Sequence, residues 1–252
     1  MKTQGSSIHH VSLNLASLRK INLSFWEEVM KIMVFAPHPD DEIIGCGGTL
    51  AGHVRAGDDV VIVYLTSGEA GSLAVPSEEL RVVREGEARQ GARHLGVHDL
   101  IFLHFPDGCL EFSPELIRTL TRLIRGKAPD VLYLPHGQET PRDHRLTHEL
   151  GLESVRRAGG PWFQDCGGEP WHVRHVLSYE VWTPIVAPAH YNDITSWIDL
   201  KVAALRCHAS QVATVPYDEA VRGLNRYRGI LSGTGDYCEA FQVITRNPST
   251  RE

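Results

Sequence analysis

Residues 32–42, IMVFAPHPDDE, decide how this chain folds and where its chemistry lies. An apolar run typical of a buried β-strand stops at Pro37, and a histidine and three consecutive carboxylates follow it. The small-residue stretch after them, residues 43–51, indicates a helix that packs closely on a sheet. Open α/β folds place their functional groups in such loops, at the carboxyl ends of parallel strands.

His38 and Asp41 stand three residues apart, so both can bind one divalent metal ion from this turn. Asp40 between them would stay available for proton transfer. An acidic helix cap is the alternative interpretation, because Asp and Glu suit the start of a helix. One acidic residue is enough for a cap, so three carboxylates after His-Pro favour a metal site.

Strand and helix patterns alternate from Lys31 onward. The predicted strands are residues 32–36, 60–65, 100–104, 131–135, 176–181 and 239–245. The predicted helices are residues 43–55, 77–95, 114–125, 143–157, 198–210 and 217–231. This alternation predicts an α/β fold with a Rossmann-like, doubly wound, mostly parallel sheet flanked by helices.

The length of 252 residues fits one large α/β domain. No repeat, low-complexity segment or linker interrupts residues 31–252, so we expect them to form a single domain. Residues 1–30 are predicted to be an N-terminal extension, disordered over residues 1–8. The rest of the extension either folds over the domain or a partner, or is partly disordered.

Composition excludes several classes of protein. The net charge of −6 argues against nucleic-acid binding, which needs a concentrated basic face. No apolar run approaches the ~18 residues of a spanning helix, and the first thirty residues lack a signal-peptide cleavage site. The five cysteines are scattered and never spaced C-x-x-C, which favours reduced thiols in a cytoplasmic protein. The glycines at 45–48 do not form a dinucleotide fingerprint, and the acidic residues before them would repel a pyrophosphate.

A hydrolytic zinc site needs three protein ligands and an open position for water. His144 is the predicted third ligand, because it follows the strand at 131–135 on the same sheet edge as His38. A helix-capping role for the Asp143-His144 pair is the alternative. His148, one helical turn further, would lie behind the ligands or contact the substrate.

The chain resembles the LmbE/PIG-L superfamily of zinc-dependent N-acetylglucosaminyl deacetylases. The motif of that family, Ala-His-Pro-Asp-Asp-Glu, corresponds to PHPDDE at residues 37–42. Further matches occur in the same order at Leu65–Glu69, Arg84-Glu85, Pro106–Gly108, Asp143-His144 and His208–Gln211. The likeness covers residues 31–245, and several ordered motifs make it specific.

The resemblance implies roles that agree with the interpretation of the residues themselves. His38, Asp41 and His144 would be the metal ligands. Asp40 would be the general base that takes a proton from a zinc-activated water, whose pKa the metal lowers to about 7.

The resemblance also implies that Arg84 and Asp107 bind the sugar. A solvated helix charge is the alternative for Arg84, and a turn residue the alternative for Asp107.

Three tryptophans could offer a sugar-stacking face, although core packing or loop anchoring is the more common role of any single one: Trp162, Trp171 and Trp182.

One position departs from the family pattern. Many relatives carry His-Pro-Asp-His at the third ligand, where the first histidine helps to stabilise the oxyanion, but this chain has Pro141 there. The metal alone could polarise the carbonyl, or one of four side chains could replace the imidazole: Arg142, His148, His190 or His208. His190 lies in a predicted loop, and His208 suits a buried structural histidine.

These observations predict a zinc hydrolase that removes an acetyl or small acyl group from the nitrogen of an N-acetylglucosamine-type sugar or its conjugate. An amidase acting on a larger conjugate and a non-catalytic metal- or sugar-binding module are the alternatives. A His-Asp-His site would also hold other divalent ions. We expect a small-molecule substrate, no nucleic acid or membrane, and, because relatives form hexamers and smaller assemblies, a homo-oligomer.

Overall fold

The computed structural model describes residues 29–246, so the predicted extension at residues 1–30 lies almost wholly outside the described part. The strands are β1 Lys31–Ala36, β2 Asp59–Tyr64, β3 Asp99–Phe102, β4 Val131–Pro135, β5 His175–Tyr179, β6 His190–Asp193 and β7 Cys238–Arg246. They form one seven-stranded sheet in the order β3-β2-β1-β4-β5-β7-β6. Strands β1 to β5 pair in parallel, whereas β7 runs antiparallel to β5 and β6. The predicted mostly parallel sheet is confirmed.

The helices are α1 Asp41–Arg55, α2 Ser77–Leu95, α3 Pro114–Lys127, α4 Arg142–Ala158, α5 Ile198–Arg206, α6 Ala209–Val212 and α7 Tyr217–Ser232. Alternate residues of a strand point to opposite faces. In β1, Ile32 and Val34 belong to one buried apolar cluster, while Met33 and Phe35 belong to a second. The sheet is therefore covered on both faces, as a doubly wound fold requires. Between residues 29 and 246, no helix combines the length and apolar character needed to span a bilayer.

Strands β1 and β4 are neighbours in register, with Ile32 beside Val131 and Val34 beside Tyr133. The loops that follow them therefore open at the same edge of the sheet. Strand β5 ends there as well, because Tyr179 pairs with Pro135. This edge carries the predicted site.

Helix α1 lies very close to the sheet because its glycines lack side chains. A Cβ on Gly45 would overlap the Tyr179 ring, and one on Gly48 would lie 2.7 Å from Cβ of Ile194. The predicted close packing of this helix is thus observed, and it fixes the position of the first turn.

Two segments differ from the sequence prediction. Residues 190–193, predicted as loop, form edge strand β6, because Tyr191 and its neighbours pair with β7 although they lack an apolar alternation. The predicted helix at 198–210 breaks at Cys207-His208. The His208 carbonyl accepts the N–H groups of Gln211 and Val212, which starts the short helix α6.

Candidate active site

The turn between β1 and α1 has an unusual backbone. Asp40 precedes the helix with φ 117° and ψ −28°, a left-handed conformation that is costly for a residue with a Cβ. Its carbonyl accepts the N–H groups of Ile43 and Ile44 at 3.0 and 2.9 Å, which holds the turn in place. Such strained positions are concentrated at functional sites, where the surrounding structure enforces them.

The structure brings the three predicted ligands together at the carboxyl edge. Asp41 Oδ2 lies 3.1 Å from His38 Nδ1 and 3.4 Å from His144 Nε2. The three residues present ligand atoms that all lie within 4.8 Å of one another. Asp41 and His144 are buried, whereas 17% of the His38 side chain is exposed. His38 is therefore the most solvent-accessible of the three side chains.

These donors suit a divalent metal ion. Both ring nitrogens of His144 are buried without a hydrogen-bond partner among residues 29–246. Burial lowers the pKa of His144, so the imidazole is neutral and can donate a lone pair. Although burial opposes it, the hydrogen bonds and the charge of His38 lower the pKa of Asp41, which stays ionised. An unpartnered buried nitrogen costs free energy, and a bound cation would remove that cost.

The other nitrogen of His38 is held by two carboxylates. Nε2 lies 3.0 Å from Asp107 Oδ1 and 3.5 Å from Asp143 Oδ2. Asp107 Oδ2 also accepts the Ala70 N–H, and Asp143 Oδ2 accepts the Gly108 N–H. Metal-binding histidines usually donate their second N–H to a carboxylate, which fixes the ring and raises its basicity. The sequence prediction placed Asp107 against the sugar and gave Asp143 no role in the site, although its position next to His144 was a usable signal.

Glu139 is a second group without a predicted role. Its Oε2 lies 3.9 Å from His144 Nδ1, and its two oxygens accept the backbone N–H groups of Val181, Trp182 and Thr183. Glu139 therefore ties the loop after β5 to His144, the predicted third ligand. Nothing in the local sequence around Glu139 signals this contact, because Glu139 and Val181 are 42 residues apart in the chain.

Arg84 is buried behind the turn. Its guanidinium donates to Pro39 O at 2.7 Å, to Gly68 O at 2.9 Å and to Asp40 Oδ2 at 3.3 Å. The solvated-helix interpretation of Arg84 is therefore wrong. Burial raises the pKa of Asp40 to about 7, although the positive charge of Arg84 opposes this. A carboxylate with a pKa near neutrality is well matched to general-base catalysis.

The four side chains considered as replacements for the missing imidazole lie in different surroundings. Arg142 Nη1 donates to Leu110 O at 2.6 Å, and His148 Nδ1 lies 2.9 Å from Pro135 O. His190 Nε2 lies 2.7 Å from Asn192 Oδ1 in a buried position. These three are thus held in structural contacts. His208 differs, because both of its ring nitrogens are buried without a hydrogen-bond partner in the described part of the chain.

Comparison with known proteins agrees with this geometry. The family profile PIG-L, described as GlcNAc-PI de-N-acetylase, matches residues 33–155. A diacetylchitobiose deacetylase from Thermococcus kodakarensis is 32% identical over 237 residues, which cover 89% of this chain and 86% of that protein. The N,N'-diacetylchitobiose deacetylase of Pyrococcus horikoshii, solved with an inhibitor, is 29% identical with a TM-score of 0.79 and coverage of 91% and 90%. A conserved protein from Thermus thermophilus is 33% identical, with a TM-score of 0.77 and coverage of 89% and 100%. The chain therefore belongs to the PIG-L family of deacetylases.

Proposed function

We propose that this protein is a zinc-dependent hydrolase that removes an acetyl or small acyl group from the nitrogen of an N-acetylglucosamine-type sugar or its conjugate. The convergence of His38, Asp41 and His144 beside the buried carboxylate of Asp40 carries this proposal. The substrates named for the relatives, diacetylchitobiose and N-acetylglucosaminyl conjugates of inositol and malate, support the class of substrate. Membership of the family makes a binding module without turnover the weaker alternative.

The reaction needs an activated water, a proton acceptor and a way to protonate the leaving nitrogen. A zinc ion held by His38, Asp41 and His144 would supply Lewis acidity, which activates water and polarises the amide carbonyl. Asp40 takes the proton of the attacking water at Oδ1, because Arg84 Nη2 lies against Oδ2. It then returns the proton to the departing nitrogen. Such proton transfer typically contributes about 10²–10⁴-fold.

Two carboxylates keep the first ligand in its working orientation. Asp107 and Asp143 accept from His38 Nε2, which leaves Nδ1 facing Asp41. The predicted hydrogen bond from Asp107 to sugar hydroxyls stays a prediction. It is compatible with the observed contacts, because each carboxylate oxygen accepts more than one hydrogen bond.

Acetate release tests the proposed function. Zinc-loaded protein is expected to release acetate from N-acetylglucosamine derivatives, to lose this activity with a chelator and to regain it when zinc is added back. Release only from larger conjugates would favour the amidase alternative. If zinc is bound and no acylated amino sugar is hydrolysed, the protein is a binding module and the proposal is wrong.

Arg84→Lys is expected to lower kcat by up to about 100-fold, the scale of a misplaced catalytic group, and to leave KM within about twofold. Lysine cannot donate to the two backbone carbonyls and Asp40 in the fixed fork of a guanidinium. The turn would then lose the group that orients Asp40, while substrate contacts persist. Steady-state kinetics on an N-acetylated amino sugar measure this split.

Arg89→Lys is the matched control for Arg84→Lys, because Arg89 lies on the same helix α2, is half exposed and pairs with Glu85. We expect wild-type kinetics from it. A raised KM with unchanged kcat in Arg84→Lys would instead support the predicted role of Arg84 in binding substrate.

We also propose that the protein acts in the cytoplasm and self-associates. All five cysteines are free, and three of them are buried, which supports a reducing compartment: Cys46, Cys166 and Cys238. Zinc is the proposed native metal because imidazole and carboxylate donors suit it. We likewise retain residues 31–252 as a single domain.

A further inference from the structure

The tryptophans considered for sugar stacking lie at two different ends of the sheet. Trp171 Nε1 donates to Pro129 O at 2.8 Å, just before β4 begins. Trp162 packs against two arginines in the last turn of α4, whose first turn carries His144. Both are therefore remote from the carboxyl edge. Trp182 alone of the three follows the end of a strand at that edge, because β5 ends at Tyr179.

The backbone of Trp182 is fixed close to the proposed metal ligands. Its N–H donates to Glu139 Oε2 at 3.1 Å, and the same oxygen lies 3.9 Å from His144 Nδ1. The neighbouring N–H groups of Val181 and Thr183 also donate to Glu139. Backbone contacts thus hold this loop without help from the indole. Trp182 is 40% exposed, and its Nε1 has no hydrogen-bond partner among residues 29–246.

Tyr217 supports the indole from a separate segment. The two rings meet edge-on, with centroids 4.8 Å apart and an interplanar angle of 60°. Tyr217 is the first residue of α7 and is half-buried. Burial and the charge of Asp40 raise the pKa of its phenol, while Arg84 opposes this. The indole is therefore packed between the loop after β5 and the first residue of α7.

We propose that Trp182, buttressed by Tyr217, is a stacking subsite for the second sugar ring of a glycoside of N-acetylglucosamine. This inference rests on the proposed deacetylase function. The face of a pyranose ring presents C–H groups, so covering an exposed indole removes apolar surface from water on both partners. Such a contact is equally strong in the ground state and in the transition state. It therefore lowers KM and leaves kcat unchanged.

Kinetics on two substrates test the subsite. Trp182→Ala is expected to raise KM for N,N'-diacetylchitobiose by about tenfold, the usual scale for truncating a large aromatic contact, with kcat within about twofold. Both constants for monomeric N-acetylglucosamine should stay at the wild-type values, because the monosaccharide does not reach the subsite. Trp182→Tyr should restore most of the loss with the disaccharide.

Trp162→Ala is the matched control, because Trp162 is 38% exposed and lies at the opposite end of the sheet. Trp162→Ala should leave kcat and KM at the wild-type values for both sugars. Equal losses on both sugars in Trp182→Ala, or an unchanged KM for the disaccharide, would overturn the subsite.

Calorimetric titration separates this inference from the proposed function. N,N'-diacetylchitobiose is titrated into zinc-loaded Asp40→Asn protein with and without Trp182→Ala. Binding weakened about tenfold by the second change supports the subsite, even where the wild-type protein releases no acetate. Equal binding by the two proteins overturns it, whatever the activity of the wild type.

Discussion

Asp40→Asn is expected to lower kcat by about 10²–10⁴-fold while the zinc content of the protein stays unchanged. The amide cannot accept a proton from water, and Asp40 is not one of the three predicted ligands that converge. Its carbonyl oxygen can still accept from Arg84 Nη2, which lies 3.3 Å from Oδ2 in the wild type. Asparagine also tolerates the left-handed backbone at this position, so the turn should keep its shape. Acetate release and elemental analysis of the same sample measure both effects.

Asp41→Asn is the informative comparison, because the two carboxylates are adjacent in the chain and both are buried. Asp41 Oδ2 lies near both imidazoles, so its loss should lower zinc content and activity together. Parallel losses of zinc and turnover in Asp40→Asn would contradict the assignment of Asp40 as the general base and Asp41 as the metal ligand. Retention of wild-type kcat by Asp40→Asn would exclude Asp40 as the general base.

The sheet could be predicted from the sequence because its central strands are continuous apolar runs. A strand covered on both faces must be apolar throughout, and β1, β2 and β4 carry that signature. Edge strand β6, with the sequence HYND, has no such signature. It exists because β7 offers backbone partners along one side. Pairing of this kind depends on tertiary contacts that local propensity does not encode.

The candidate site was predictable to the extent that its residues follow strand ends. His38 and Asp41 lie in the turn after β1, and His144 lies at the start of α4, the helix that follows β4. Parallel neighbouring strands bring these two segments together. The side chains that contact these predicted ligands come from elsewhere in the chain. Glu139 acts through backbone groups at 181–183, a contact that no spacing reveals.

Arg84 shows a second limit of sequence-based prediction. It lies in the charged segment Arg81–Glu87. Arg81 pairs with Glu78 at the surface, whereas Arg84 is buried against Asp40. Residues three apart are neighbours on a helix surface, so helical periodicity does not show that Arg84 is buried while Arg81 is at the surface. The depth of Arg84 follows from Gly68 and Gly71, whose missing side chains leave room for the guanidinium.

His144→Ala is expected to abolish tight zinc binding and, with it, turnover. Loss of a group that only supports a ligand already costs about 10–100-fold in metal affinity, and loss of a ligand should cost more. Zinc that binds only the folded state stabilises that state, and tighter binding stabilises it more. The wild-type melting temperature should therefore rise when zinc is added, whereas that of the variant should not. Elemental analysis after gel filtration and melting curves with and without zinc measure both effects.

His148→Ala is the control for His144→Ala, because His148 lies one turn further along α4 and its Nδ1 faces Pro135 O. It should bind zinc as the wild type does. Full zinc occupancy in His144→Ala, together with a zinc-dependent rise in melting temperature equal to that of the wild type, would show that the ion binds elsewhere. His38 and Asp41 both come from the first turn, so His144 is the only predicted ligand that ties α4 to this turn through a metal ion. The variant therefore tests whether the second strand end belongs to the metal site at all.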